Sequence, residues 1–376
     1  MGPASLPPPV LIKDQPELDR LATSLSGQRR VAVDTESNSL YAYRERVCLV
    51  QFSTRSADYL VDPLAISDLS SLAPIFSNPK IEKVFHAAEY DILCLKRDFG
   101  FKMNNLFDTR IASRTLGRKR SGLGDVLAEE FDVEINKRFQ RANWGKRPLS
   151  AELLDYARLD THFLLALRDR LAKALRAAGR WEEAQEACEA TKLIEPELAE
   201  FDPQGFWRIA HSRQLKPDQA AILRQLYLLR EKYARKLDRP PFKVLGDRTL
   251  LAIAQETPES LESLSKLPGM TSGQVHRYGK DVLDAIARGH SGPRPKRPSS
   301  TRVEEVVMAR YQTLREWRMR VARTRQVESD IVLPRDLVWD IAHRAPRDHK
   351  ALQELMQPYG WRFRMYADDI LQLLWA

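Results

Sequence analysis

The chain has 376 residues, enough for two or three domains because a single core stops growing well before that length. Hydrophobic residues make up 43% and charged residues 30%, an ordinary soluble composition that excludes wholesale disorder; the formal charge of +9 and a pI of about 9.4 favour a polyanionic partner. Cys48, Cys94 and Cys188 are too sparse for a disulfide framework or a zinc site, the start has no basic segment leading into an apolar core, and no run approaches the ~18 apolar residues of a membrane span, so a cytoplasmic protein with no membrane contact is expected.

In chain order, residues 10–29 read as a short strand and a helix with Leu18, Leu21, Ala22 and Leu25 on one face. Three extended segments follow, 31–36, 47–53 and 58–62, a largely antiparallel start to a sheet. The first ends in Asp34-Thr35-Glu36, whose two acids share a face because a strand has a side-chain period of two. Two readings are open there: a strand running into a polar turn, or half of a divalent metal site that needs further acids elsewhere. A helix over 68–76 and a strand over 80–85 come next. His86 to Lys96 has helical periodicity, which puts Asp91 in the first turns of a helix leaving a strand's carboxyl end, where α/β active sites gather.

A strand at 106–109 leads into a helix to Leu116, and helical pattern resumes over 122–130. Residues 134–150 are strongly basic and carry Phe139 and Trp144. Ser150 opens a long helical stretch, Leu153 to Leu193, broken near Gly179. Within it Tyr156 and Asp160 are four apart and share a helical face with leucines nearby; a buried hydrogen-bonded pair and a functional pair are both open readings. The Glu195-Pro196-Glu197 stretch ends the first domain, and residues 201–213 form a short helical connector.

From Pro217 the pattern is helical throughout, interrupted by a basic, proline-rich linker beginning at Ser291. The two helical parts repeat at a constant offset of 88 residues: Ile253 matches Ile341, Pro258 matches Pro346, Leu264 matches Leu352 and Tyr278 matches Tyr366. Only the first copy has Gly269 and Gly279, where tight turns could offer backbone N–H groups to phosphate. The second has Arg344, Arg347, Tyr359, Trp361, Arg362 and Arg364 as a side-chain surface. The other reading is two small bundles that only pack on the first domain.

Asp34-Thr35-Glu36, the stretch from His86 to Asp91 and the stretch from Tyr156 to Asp160 resemble the three exonuclease motifs of the DEDD superfamily, in its tyrosine-containing branch. The basic stretch with Gln140, Trp144, Arg147, Pro148 and Leu149 resembles the ribonuclease D family in particular. The repeats resemble the HRDC domain, the helicase and RNase D C-terminal module, the second copy being degenerate. The resemblance implies an α/β ribonuclease H-like exonuclease domain, a mixed sheet flanked by helices, at 1–200. It implies two all-helical HRDC-type bundles at 201–290 and 304–376, joined by a linker at 291–303.

It further implies that Asp34, Glu36, Asp91 and Asp160 hold two divalent metal ions, Mg²⁺ or Mn²⁺, with Asp34 touching both and Glu36 holding the one that activates water. Tyr156 would orient or deprotonate the attacking water. Oxygen-only ligands suit such hard cations, and two of them roughly 3.5–4 Å apart can serve an in-line phosphodiester displacement. An unperturbed phenol, with a pKa of about 10, is a weak base, which favours the orienting role. His86 and Gln140 are commonly matched in the family without being ligands. Lys137, Arg138, Arg141, Lys146 and Arg147 would contact a backbone, and Phe139 or Trp144 would stack on a base; a solvated basic face is the other reading.

The implied activity is a monomeric 3′–5′ exoribonuclease that releases 5′-mononucleotides from single-stranded 3′ ends, in maturation of precursor tRNA and other small RNAs. The alternatives are a single-stranded DNA exonuclease used in repair and an inactive nucleic-acid-binding scaffold.

Overall fold

The structure is a computed structural model and describes residues 6–197, 200–298 and 304–375, with the side chain of Lys137 outside that description. Six strands form one mixed sheet in the order β1-β4-β3-β2-β5-β6, namely β1 Val10–Ile12, β2 Arg30–Ser37, β3 Val47–Ser53, β4 Asp58–Val61, β5 Glu82–Phe85 and β6 Leu106–Asp108. The β2, β3 and β4 strands pair antiparallel, while β1 with β4, β2 with β5 and β5 with β6 pair parallel. The expected mixed sheet is therefore present.

Helices cover both faces: α1 Gln15–Ser26, α2 Ala73–Ser77, α3 Glu89–Phe99, α4 Thr109–Thr115, α5 Leu123–Phe131, α6 Ala151–His162, α7 Leu164–Ala177 and α8 Trp181–Thr191. The strand period decides which residue meets which layer. Val31 and Val33 join the core under α1 and α3, whereas Ala32 joins the core under α4, α5 and α7. On β3, Val50 and Phe52 face the first layer and Leu49 faces α6. All seven residues of β3 are buried, as the middle of a covered sheet requires.

The single helix expected from Leu153, with a break near Gly179, is three helices. Gly179, at φ +66°, marks the second break. Phe163 marks the first, where no glycine or proline signals it. The neighbouring His162 turns instead to Asp58, with Nδ1 2.8 Å from Oδ2.

Two compact units are present. One holds the described residues of 1–37, 47–196 and 302–376, and the other those of 38–46 and 197–301. In the second unit, α9 Pro217–Leu237, α10 Pro241–Val244, α11 Asp247–Glu256, α12 Leu261–Ser265 and α13 Ser272–Ser291 make the first helical copy. Tyr43, from the segment between β2 and β3, packs on that bundle and bonds Glu231 and Asp238.

The second copy, in the first unit, comprises α14 Glu305–Arg325, α15 Ser329–Val332, α16 Arg335–Arg344, α17 His349–Leu355 and α18 Gly360–Trp375. Each of its helices begins 88 positions after its counterpart. The detail repeats too. Buried Arg230 donates to Leu245 O at 3.2 Å and buried Arg318 to Leu333 O at 2.9 Å, and Thr257 and Ala345 close α11 and α16 with φ of +44° and +43°.

The second copy is docked on α8. Arg362, 2% exposed, donates to Glu186 Oε1 at 2.5 Å, and the other oxygen of Glu186 accepts the N–H groups of Trp361 and Arg362 in the first turn of α18. Arg325 pairs with Glu183 and Arg364 with Glu182 at 2.9 Å. Arg362, Arg364 and Trp361, expected to belong to a side-chain surface, thus hold the copy to α8. Arg344 and Arg347 remain exposed. Among the described residues no helix is long and apolar enough to cross a membrane.

Candidate active site

Asp34 and Glu36 lie on the face of β2 that α6 covers, and Tyr156 and Asp160 lie on α6, which packs on β2, β3 and β4. Beyond Asp160 that helix is pinned to the sheet: Thr161 Oγ1 is 2.7 Å from Ser53 Oγ, which donates to Asp58 at 2.7 Å, and Asp58 also meets His162. Thr35 points to the opposite face, toward α3. There Asp91 Oδ1 accepts both its backbone N–H at 3.0 Å and its hydroxyl at 2.5 Å. Asp91 sits in the first turn of α3, whose N-terminal dipole favours a carboxylate.

Sequence reasoning missed what fixes the start of that helix. Asp108, 2% exposed at the end of β6, accepts from the backbone of Ala87 at 3.0 Å and of Ala88 at 2.8 Å, and it also caps α4 through Arg110 and Ile111. Ala87 has φ +64°, a conformation that alanine adopts only when its surroundings impose it. The available signal was an acid immediately before a helix, the ordinary N-cap pattern.

The four acids lie close enough for their charges to act on one another. Burial raises each above the usual carboxylate range. For Asp34 the charges of Asp91, Asp160 and Glu36 add to it, for Glu36 those of Asp160 and Asp91, and for Asp160, pushed to about 7, that of Asp91. Asp91 also reaches about 7 through burial, against the lowering effect of Thr35's two hydrogen bonds. Among the described residues none of the four forms an ion pair with lysine or arginine.

Among the described residues, no group of three or more His, Cys, Asp or Glu stands in an arrangement that could hold a metal ion. The donor set itself, one buried and three half-buried carboxylates with no basic partner among the described residues, suits a hard divalent cation. Gln51 Nε2 is 3.4 Å from Asp34 Oδ2, and the buried Gln51 Oε1 has no partner.

Tyr156 is 8% exposed and lies between Phe139, edge-on at 5.8 Å, and Trp144, stacked at 6.2 Å. Burial first, then the charges of Asp160, Glu36 and Asp34, push its phenol above the ordinary tyrosine range. Burial and those charges thus favour the protonated phenol, a hydrogen-bond donor.

The expected nucleic-acid contacts divide. Arg138, Gln140, Arg141 and Lys146 are exposed, Arg138 with its Cζ 5.4 Å from the Phe139 ring; the side chain of Lys137 lies outside the described residues. Trp144 is 1% exposed, enclosed against Tyr156 and so not offered to a base. Arg147 is committed to the fold: its guanidinium bonds both oxygens of Asp62 at 2.7 Å and the carbonyls of Cys48 and Trp144.

His86 is half-buried, its Nδ1 2.9 Å from Thr109 Oγ1 and its other ring nitrogen shut off from solvent; burial lowers its pKa, which favours the neutral ring. At both glycines the neighbours pack where a side chain would stand. A Cβ on Gly269, at φ +81°, would fall 2.1 Å from Thr249 Oγ1, and one on Gly279, inside α13, 2.7 Å from Leu261 Cδ2.

Residues 9–176 match the 3′–5′ exonuclease family, and residues 219–286 and 307–374 each match the HRDC domain. The chain is similar to the exosome complex exonuclease RRP6 of Saccharomyces cerevisiae, 31% identical over 322 residues, which is 80% of this chain and 44% of that protein. It is also similar to human exosome complex component 10, 31% identical over 77% of this chain and 35% of that protein. The chain thus spans less than half the length of these curated relatives. Among solved structures, the catalytic core of RRP6 from Trypanosoma brucei is 30% identical with a TM-score of 0.69, covering 77% of this chain and 82% of that one. Escherichia coli RNase D, at 24% identity, shares the fold over 97% of this chain and 98% of its own with a TM-score of 0.69. A mixed sheet carrying four mutually repelling acids, two helical repeats and these likenesses together place the chain in the RRP6 and RNase D family, as a DEDD-superfamily 3′–5′ exonuclease domain followed by HRDC domains.

Proposed function

We propose that the protein is a metal-dependent 3′–5′ exoribonuclease that releases 5′-mononucleotides from single-stranded 3′ ends. The observation that carries this is the quartet Asp34, Glu36, Asp91 and Asp160, in which the charges of Asp91 and Asp160 raise the pKa of Asp34 and Glu36 and, among the described residues, no lysine or arginine pairs with any of the four. Two divalent ions, Mg²⁺ or Mn²⁺, held by these four, would supply the positive charge that polarises the phosphodiester and acidifies water.

The chain's own residues do the rest. Thr35 ties Asp91 to the strand that carries Asp34 and Glu36. Asp108 keeps the start of α3 in place. Tyr156 retains its proton and donates a hydrogen bond that orients the attacking water or a phosphate oxygen, with Phe139 and Trp144 fixing the ring. Exposed Arg138 and Lys146 offer positive charge to the incoming strand.

RNA is favoured over DNA by the relatives, one an exosome exonuclease and one, sharing only the fold, an exoribonuclease involved in structured RNA processing. We assign the physiological role to 3′ maturation of precursor tRNA and other small RNAs, by a monomer. The three cysteines are buried, in keeping with a reducing compartment such as the cytoplasm. The test offers purified protein a 3′-extended precursor tRNA and a matched single-stranded DNA, with Mg²⁺, Mn²⁺ or EDTA. Faster trimming of the RNA to its mature end is expected. Preferential degradation of the DNA would replace this reading with a repair exonuclease.

A further inference from the structure

The second helical copy carries a cationic and aromatic cluster that lies outside the acidic site and outside its own docking contacts. Trp375, near the end of α18, is 47% exposed, and its indole N–H donates to Pro346 O at 2.9 Å. Arg310 of α14 and Arg347 beyond α16 both lie against its ring, their Cζ atoms 5.2 and 5.3 Å from the centroid. Arg344, at the end of α16, is exposed three positions before Arg347. Cation–π attraction draws both guanidiniums to one indole. Among the described residues none of the three arginines is paired with a carboxylate, so their charge is open to a ligand.

The first copy has the same scaffold without the cluster. At the 88-residue offset, Arg310, Arg344, Arg347 and Trp375 correspond to Ile222, Glu256, Glu259 and Ala287. The bundle therefore folds without them, and at two positions the charge is opposite. The cluster also stands at the undocked end of α18. The first turn of that helix is fixed by Glu186, and Trp375 lies 14 residues beyond Trp361, about 21 Å along the axis.

We propose that Arg310, Arg347 and Trp375, with Arg344 beside them, form a second contact site for single-stranded RNA, the guanidiniums meeting phosphates and the exposed indole edge supporting a base. The choice of RNA as ligand rests on the exoribonuclease reading above. The site makes the second copy the RNA-holding one at this position and leaves the acidic face of the first copy without that role.

The test measures binding of a 5′-fluorescein RNA of about 20 nucleotides to the full chain in EDTA, for wild type, Arg310→Gln/Arg347→Gln, Trp375→Phe, and the charge-matched control Arg315→Gln/Arg320→Gln, also in α14. The first pair should weaken binding about tenfold and lower the salt slope by about 1.4, as loss of two phosphate contacts requires, while the control pair changes affinity less than about twofold. Trp375→Phe should remove part of the RNA-induced quenching of tryptophan fluorescence. Equal losses in the two pairs, or unchanged binding in the first, would overturn the proposal. So would polyglutamate displacing the RNA more effectively than unlabelled RNA does, which would assign the cluster to an acidic protein segment. Manganese-dependent mononucleotide release by the wild type is read on the same preparation; its absence beside an intact binding effect counts against the nuclease reading alone.

Discussion

Thr35 and Asp91 join the two halves of the acidic site: one carboxylate oxygen accepts both the N–H and the hydroxyl of a residue that stands between Asp34 and Glu36 on the opposite face of β2. The same bonds hold down the pKa of an acid that burial raises. Thr35→Val keeps the shape and the N–H but removes the hydroxyl, and a hydrogen bond to a charged group contributes about 1.5–3 kcal/mol. The variant should need a roughly tenfold higher Mn²⁺ concentration for half-maximal activity, read by metal titration of the hydrolysis rate. An unchanged titration curve would remove Thr35 from the support of the site.

Tyr156→Phe retains the ring packed between Phe139 and Trp144 and loses only the hydroxyl. Turnover should fall about a hundredfold with RNA affinity and melting temperature preserved. With the phenol acting as a hydrogen-bond donor, the wild-type pH–rate profile should carry no basic limb from Tyr156, and the variant's profile should keep the wild-type shape.

The acids also make stability depend on pH in a definite direction. Asp91 and Asp160 have folded pKa values near 7 against an ordinary value of 3.8, so between about pH 4 and 7 the native chain holds protons that the unfolded chain has released. Their contribution is therefore greatest below about pH 4 and is lost as pH rises through 7, by on the order of 1 kcal/mol per pH unit per group. In EDTA, wild type should lose stability relative to Asp160→Asn as pH rises from 5 to 8, and added Mn²⁺ should raise the wild-type melting temperature more at pH 8 than at pH 5. Parallel pH profiles for the two proteins in denaturant titrations would contradict the assignment.

Glu186 is both the partner of Arg362 and the cap of α18. Its side chain is 7% exposed and that of Arg362 2%, and breaking such a buried pair costs about 3–5 kcal/mol. Glu186→Ala should detach the second helical copy at a denaturant concentration well below that which unfolds the sheet, visible as a separate early transition in tryptophan fluorescence. A single unshifted transition would mean that the copy is held by other contacts.

Much of this architecture was legible because it obeys short periods. Alternation along 31–36 placed Asp34 and Glu36 on one face, and i, i+4 spacing placed Tyr156 with Asp160. The repeat offset of 88 residues reappears helix by helix. What sequence reading missed depends on distant partners. Arg147 looked like a phosphate ligand until Asp62, 85 residues away, was seen to claim its guanidinium. Trp144 looked exposed because its basic neighbours are, while Tyr156 buries it. Gly269 looked like a phosphate turn, yet Thr249 leaves no room there for a Cβ. The break at Phe163 had no local mark, because the adjoining His162 answers to Asp58 on another element.

The central claim is that Asp34, Glu36, Asp91 and Asp160 form one metal-dependent hydrolytic site. The most direct test follows a 3′-labelled single-stranded RNA with wild type, Asp34→Asn and Asp160→Asn, with Mn²⁺ or with EDTA, resolving the products by chromatography. The account predicts stepwise release of 5′-mononucleotides by wild type with Mn²⁺ alone, and loss of at least about a thousandfold in rate in either variant. Release that persists in EDTA, or in both variants at the wild-type rate, would contradict it.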